Sequence, residues 1–143
     1  MNRVNDAVLF VGRLLLATLF LPSGINKAMG FAAFSASLAA KGLPYADGWA
    51  IAAVAIEVLG PIALILGVVP RWTALALIAF VIMATATTHR YWEFADAAAR
   101  RAQEINFYKN VGIVAGLLFY FVSGAGAWSL AGWLGRTAQP QAA

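Results

Sequence analysis

The 143-residue chain is 62% hydrophobic and 11% charged, whereas a soluble domain is about half apolar and a quarter charged, so its solvent is lipid. Its net charge of +4 sits on Lys and Arg at helix ends and connections, where lipid headgroups and the insertion machinery favour them, which excludes a basic face for nucleic acid. With no cysteine, one histidine and six acids mostly scattered in connections, the composition excludes disulfides, thiol relays, iron–sulfur ligation, a bis-histidine haem and a metal-ligand cluster.

At roughly 20 residues per span, this length holds four spans in a single transmembrane domain, 1–143. The first span covers residues 7–28, interrupted by Arg13 and closed by Lys27. Arg3 followed by the apolar run Leu14 to Leu21 also describes a secretory signal, but three more apolar segments follow and keep the chain in the membrane either way. Phe31, Phe34 and Leu38 then recur at helical spacing until Lys41-Gly42-Leu43-Pro44 stops the run, which predicts a short interfacial helix over 31–40. The second span covers 48–69, with Glu57 as its charge. Val69-Pro70-Arg71 links it to a third, 72–88, whose 17 residues only just span and which ends at His89 and Arg90. Residues 91–106 mix Trp92, Phe94 and Ile105 with Glu93, Asp96, Arg100, Arg101 and Glu104, as an amphipathic helix lying on the membrane surface does. The fourth span, 107–124, closes at Ser123-Gly124-Ala125-Gly126.

The expected architecture is therefore an all-α, integral membrane four-helix bundle with interfacial helices in its 1–2 and 3–4 connections. Both long connections fall on one side, here the connection face. The termini and the 69–71 link fall on the other. Read literally, the positive-inside rule places the connections in the cytoplasm.

An ionised side chain at mid-bilayer costs at least about 2.5–3.5 kcal/mol, so Arg13 and Glu57 are candidates for function. Counted at 1.5 Å per residue, Glu57 lies roughly 13 Å below the connection face and Arg13 deeper on the antiparallel first span, within side-chain reach. That predicts a buried Arg13–Glu57 ion pair, either locking two spans together or making Glu57 a proton carrier. Arg13, Phe20 and Lys27 repeat every seven residues, with Gly24 on the same stripe and Ser23 beside it, which gives the first span an inward polar face unless Lys27 merely snorkels to the headgroups. Pro61 and Pro22, each four residues after Glu57 and Thr18, free those residues' carbonyls from the helix ladder.

His89 and Lys109-Asn110 belong to helix ends at the same face as Lys27. Ser23, Lys27, His89, Trp92, Lys109 and Asn110 thus form either an electropositive mouth suited to a quinone carbonyl, an oxyanion or a lipid headgroup, or a ring of interfacial anchors. Gly112 and Gly116 make a small-xxx-small pair, extended by Gly124, of the kind that packs helices closely.

Gly12-Arg13, Ser23-Gly24-x-x-Lys27, Gly42-Leu43-Pro44, Glu57 with Gly60 and Gly67, Arg71, His89 and Lys109-Asn110 occur in an order and spacing that resembles the DoxX family from about residue 8 to 133. The resemblance implies a multi-pass protein of the bacterial inner membrane. It also implies kinship with membrane subunits of thiosulfate:quinone oxidoreductase, and with a member that works in a membrane complex with a sulfurtransferase and superoxide dismutase. A flavin or nicotinamide fingerprint such as G-x-G-x-x-G after a strand is absent from this sequence. Three readings follow. In the first, the chain is a quinone-binding membrane subunit of an oxidoreductase system: Glu57, which exchanges protons, and His89 are its catalytic residues, Lys27, His89, Lys109 and Asn110 hydrogen-bond the head group with Ser23 and Trp92 completing the binding set, and a soluble or membrane redox partner supplies the electrons. In the second it is a non-enzymatic anchor or assembly protein recruiting a soluble redox partner through 91–106. The third, a small transporter, has little room inside four short helices unless the protein forms a homo-oligomer.

Overall fold

The computed structural model describes residues 3–137. Among them are six α-helices: α1 (Arg3–Met29), α2 (Phe31–Ala40), α3 (Ala46–Leu66), α4 (Pro70–Thr88), α5 (Ala97–Ser123) and α6 (Leu130–Thr137), with a single 3-10 turn at Tyr91–Glu93 between α4 and α5. Four of the helices, α1, α3, α4 and α5, are long and apolar enough to cross a membrane. They are the four expected spans. α1 packs chiefly on α3, α3 on α4 and α4 on α5, while α1 and α5 meet only lightly. Leu64, Leu77 and Leu117 are fully buried where these helices converge, joined by Phe20 and Tyr120. Large apolar residues such as Phe119 and Val122 face outwards, as a lipid solvent requires.

The stop signals act where the sequence puts them. Gly42 takes a φ of +81°, and the bonds Gly42 N–H to Ala39 O and Leu43 N–H to Leu38 O close α2 in a Schellman motif. Gly67, at φ +66°, ends α3 the same way through Gly67 N–H to Leu64 O and Val68 N–H to Ala63 O. Pro70 opens α4 at a position that needs no amide donor, so the third span has 19 residues rather than the expected 17. The interfacial helix over 31–40 is present as α2. Ser35 donates to the Asp47 carboxylate and Lys41 to the Thr88 hydroxyl at 3.2 Å, which hold α2 and its end against α3 and α4.

Residues 91–106 do not form one surface helix. After the turn at 91–93, Asp96 caps a new helix by accepting from the Ala99 amide at 2.8 Å, and α5 runs unbroken from Ala97 through the fourth span. The physical reason is local. Ala97 to Glu104 are strong helix formers with an Arg101–Glu104 pair at 2.8 Å, and neither Gly nor Pro appears before Gly112 to break the helix. At 27 residues, α5 is roughly 40 Å long against a hydrocarbon core of about 30 Å, so its charged first turns extend past the hydrocarbon into the headgroup region.

The second departure is α6. Positive φ at Gly124 (+72°) and Gly126 (+76°) turns the chain back, so that Asp6 accepts from Ala127 N–H at 2.8 Å and Gly67 O from Ala131 N–H at 3.3 Å. This turn closes the termini side of the bundle. The Gly112–Gly116 pair does not pack a helix against α5 in this chain: Gly112 has nothing within 4 Å of its Cβ position, and Gly116 meets only Leu16 Cδ2 at 3.5 Å.

Gly24 sets the α1–α3 register. A Cβ there would lie 2.8 Å from Glu57 Cβ and 2.9 Å from the Glu57 carbonyl oxygen, the acceptor that Pro61 frees from the α3 ladder. Gly24→Ala is expected to push the helices apart and destabilise the bundle by about 1–3 kcal/mol, read from the midpoint of unfolding in SDS. An unchanged midpoint would show that the interface can yield.

Candidate functional site

Because Gly24 packs on Glu57, its neighbour Ser23 and Lys27, about one turn further on, come alongside the Glu57 carboxylate. Lys27 Nζ pairs with Oε2 at 2.6 Å, and Ser23 Oγ donates to Oε1 at 3.1 Å. Both carboxylate oxygens are thus satisfied by α1. The pair is inward, with Lys27 and Glu57 side chains 29% and 6% exposed, and the ammonium also lies 5.1 Å from the Phe34 ring and 5.8 Å from the Phe80 ring. Two ring faces and a carboxylate surround the cation, which is a hold that snorkelling does not provide.

The expected Arg13–Glu57 pair does not form. In the register that Gly24 imposes, Arg13 lies eleven residues further along α1, roughly 16 Å away at 1.5 Å per residue. Its guanidinium instead donates to Ile65 O at 2.7 Å and to Trp128 O, with Phe10 under it at 5.3 Å. Arg13 is 1% exposed and belongs to the termini side, where it completes the C-terminus of α3 and holds the 124–129 turn.

On the connection side, the loose α1–α5 contact leaves a cavity of about 160 Å³ whose polar lining is Ser23, Lys27, Glu57, His89, Lys109 and Asn110. Its apolar walls include Phe20, Phe80, Val81 and Ile113. Side chains from α1, α3, the end of α4 and α5 therefore meet around one space. His89 Nδ1 and Gln103 Oε1 are in hydrogen-bond contact at 2.7 Å, which holds the imidazole ring beside the cavity it lines. Asn110 Nδ2 donates to Thr85 Oγ1 at 2.8 Å, and Thr85 in turn donates to Val81 O at 2.6 Å. Lys109 Nζ donates to Asn106 Oδ1 at 2.8 Å.

Trp92 does not line this cavity. It is 54% exposed and stacks edge-on against Tyr91 at 5.2 Å and Phe107 at 6.1 Å, as an interfacial aromatic does. Gln103, Thr85 and Phe80 carry site geometry that sequence reasoning overlooked. Phe80 and Thr85 sit inside an uninterrupted apolar stretch, and Gln103 lies in a charged segment without chemistry of its own. Only their placement one or more helical turns from His89 or Asn110 could have drawn attention to them. Among the described residues no group of three His, Asp or Glu is placed to hold a metal ion.

The model of the DoxX family matches residues 8–90, which takes in the first three spans and His89. Two curated relatives from Escherichia coli (strain K12) align over nearly the whole chain. Inner membrane protein YphA is 32% identical over 126 residues, covering 88% of this chain and 89% of its own. Inner membrane protein YqjF is 29% identical over 131 residues, covering 91% of this chain and 94% of its own. No solved structure gives a significant match. With four membrane-crossing helices, a family match over more than half its length and inner membrane relatives aligned end to end, the chain is a multi-pass inner membrane protein and belongs to the DoxX family.

Proposed function

We propose that the protein is a membrane subunit of an oxidoreductase system and that its connection-side cavity binds the head group of a quinone. The observation that carries this reading is the convergence of Ser23, Lys27, Glu57, His89, Lys109 and Asn110, from distant parts of the chain, on one small space within a lipid-facing bundle. A quinone carbonyl needs donors, and Lys27, Lys109 and Asn110 supply them. With two lysines against one carboxylate, the site favours negative charge developing on that carbonyl. Reduction to the quinol consumes two electrons and two protons. A partner protein brings the electrons, since this chain has no cysteine and no flavin fingerprint, while Glu57 and His89, both in the cavity lining, pass protons to or from the head group. The anchoring alternative draws less support, because the charges of the 3–4 connection pair among themselves, Arg90 with Glu93 at 3.1 Å and Arg101 with Glu104 at 2.8 Å.

Protein purified with its native lipids is expected to carry quinone, measured by organic extraction and chromatography. His89→Ala and Asn110→Ala are expected to lower that content about tenfold, the loss of one good hydrogen bond to the ligand, with the unfolding midpoint little changed. Quinone-free wild-type protein, or full content in both variants, would replace this reading with the anchor.

A further inference from the structure

The polar cavity is not the whole of the opening. Lys27, Phe80 and Ala84 line it on one side and, on the other, line a second space of about 240 Å³. That second space is apolar. Its walls are Phe34 and Leu38 of α2, Trp49, Ala53 and Ile56 of α3, and Met83 of α4. α2 roofs it, held to α3 by the Ser35–Asp47 bond and to α4 by the Lys41–Thr88 bond. With donors at one end and a roofed hydrocarbon channel at the other, a free anion or a bare ring would leave the apolar half of the site unfilled.

We infer that the two spaces form one site for an amphiphile, whose polar head occupies the cavity beside Lys27 and Glu57 and whose alkyl or isoprenoid chain leaves along the groove between α2, α3 and α4. This rests on the head-group reading above and adds the chain as a determinant of binding. The groove joins the polar cavity through shared residues, so its occupant is the remainder of the molecule seated there, and a hydrophobic chain is the chemistry that its walls accept. Phe80 and the Lys27 methylenes stand at the junction, where head meets chain. The ammonium lies 5.1 Å from the Phe34 ring and 5.8 Å from the Phe80 ring at that junction. A ligand of this kind reaches the site laterally, from the bilayer, through the gap that α2 covers.

The test compares the chainless dimethoxy-methyl-benzoquinone with its decyl derivative, binding to purified full-length protein in one fixed detergent. Wild-type protein is expected to bind the decyl compound at least about tenfold more tightly, since each buried methylene contributes and a few suffice for a decade. Ala53→Phe fills the groove from α3 without touching the polar cavity, and Met83→Trp does so from α4 should the first variant fold poorly. In either variant the chain's advantage should fall below about threefold while the chainless quinone binds as before; comparing protein with variant cancels partition into the micelle. Chain-independent affinity in the wild type, or equal loss of both ligands in the filled variants, would overturn the groove and leave the head-group site standing. If neither quinone binds, the head-group reading fails and the amphiphile site fails with it.

Discussion

Replacing Lys27 with methionine is expected to destabilise the bundle by about 3 kcal/mol, and adding Glu57→Gln is expected to restore most of that loss. Breaking a buried ion pair from one side costs about 3–5 kcal/mol because it strands the other charge. The lower figure applies here, because the Lys27 side chain retains 29% exposure against 6% for Glu57 and the stranded carboxylate can take up a proton. Gln at 57 removes the charge and keeps an oxygen for the Ser23 hydroxyl, which donates to Glu57 at 3.1 Å in the wild type. The measurement is the SDS unfolding midpoint across the full double-mutant cycle. Equal stability of the single and double variants would mean that the pair contributes nothing. The parallel cycle of Arg13 with Glu57 is expected to be additive, since sites roughly 16 Å apart with no shared partner do not couple.

That contrast shows what the sequence could and could not convey. Charge scarcity in a lipid-facing chain singles out Arg13, Lys27 and Glu57, because each is costly to place and none is there by composition alone. Connection topology then delivers Lys27, His89, Lys109 and Asn110 to one face, since odd spans end and even spans begin there. What a single sequence lacks is the relative register of neighbouring helices. A shift of two turns moves a side chain about 11 Å, enough to exchange the partner of Glu57. Gly24 decides that register, yet a lone glycine in a transmembrane helix has many uses, and its role appears only when the Glu57 backbone is found against it.

The 3–4 connection and the end of the chain show the same limit from another side. Residues 91–106 carry the composition of a surface helix, and composition does not distinguish a separate helix from an overlong span. The Asp96 cap and the uninterrupted helix formers after it decide for the latter. The helix Leu130–Thr137 was hidden because Ser123-Gly124-Ala125-Gly126 reads as an end. It is a reversal, and what makes it one is Asp6 and Arg13 at the other end of the chain, partners that no local pattern relates to it.

Arg13→Leu is accordingly expected to release that reversal and to cost about 3 kcal/mol. The guanidinium donates to Ile65 O at 2.7 Å and to Trp128 O, each a bond to a charged donor of about 1.5–3 kcal/mol. Part of this sum is offset because the substitution also removes a buried cation whose Nε has no partner. Ile65 is one residue from the end of α3, where carbonyls lack helical donors and a cation is favoured by the helix dipole. Leucine removes the donor from both part-buried carbonyls. Lysine preserves the charge but not the fork, so Arg13→Lys should lose about half as much. Two readouts apply: the SDS unfolding midpoint, and chymotrypsin cleavage after Trp128, which should accelerate as the turn lifts from α1. Quinone content should not change, because the head-group cavity lies roughly 16 Å away on the opposite half of α1. A normal midpoint with unaltered cleavage would show that the turn is held by Asp6 and α6 without Arg13. Loss of quinone together with the turn would mean instead that the two ends of the bundle fold as one unit.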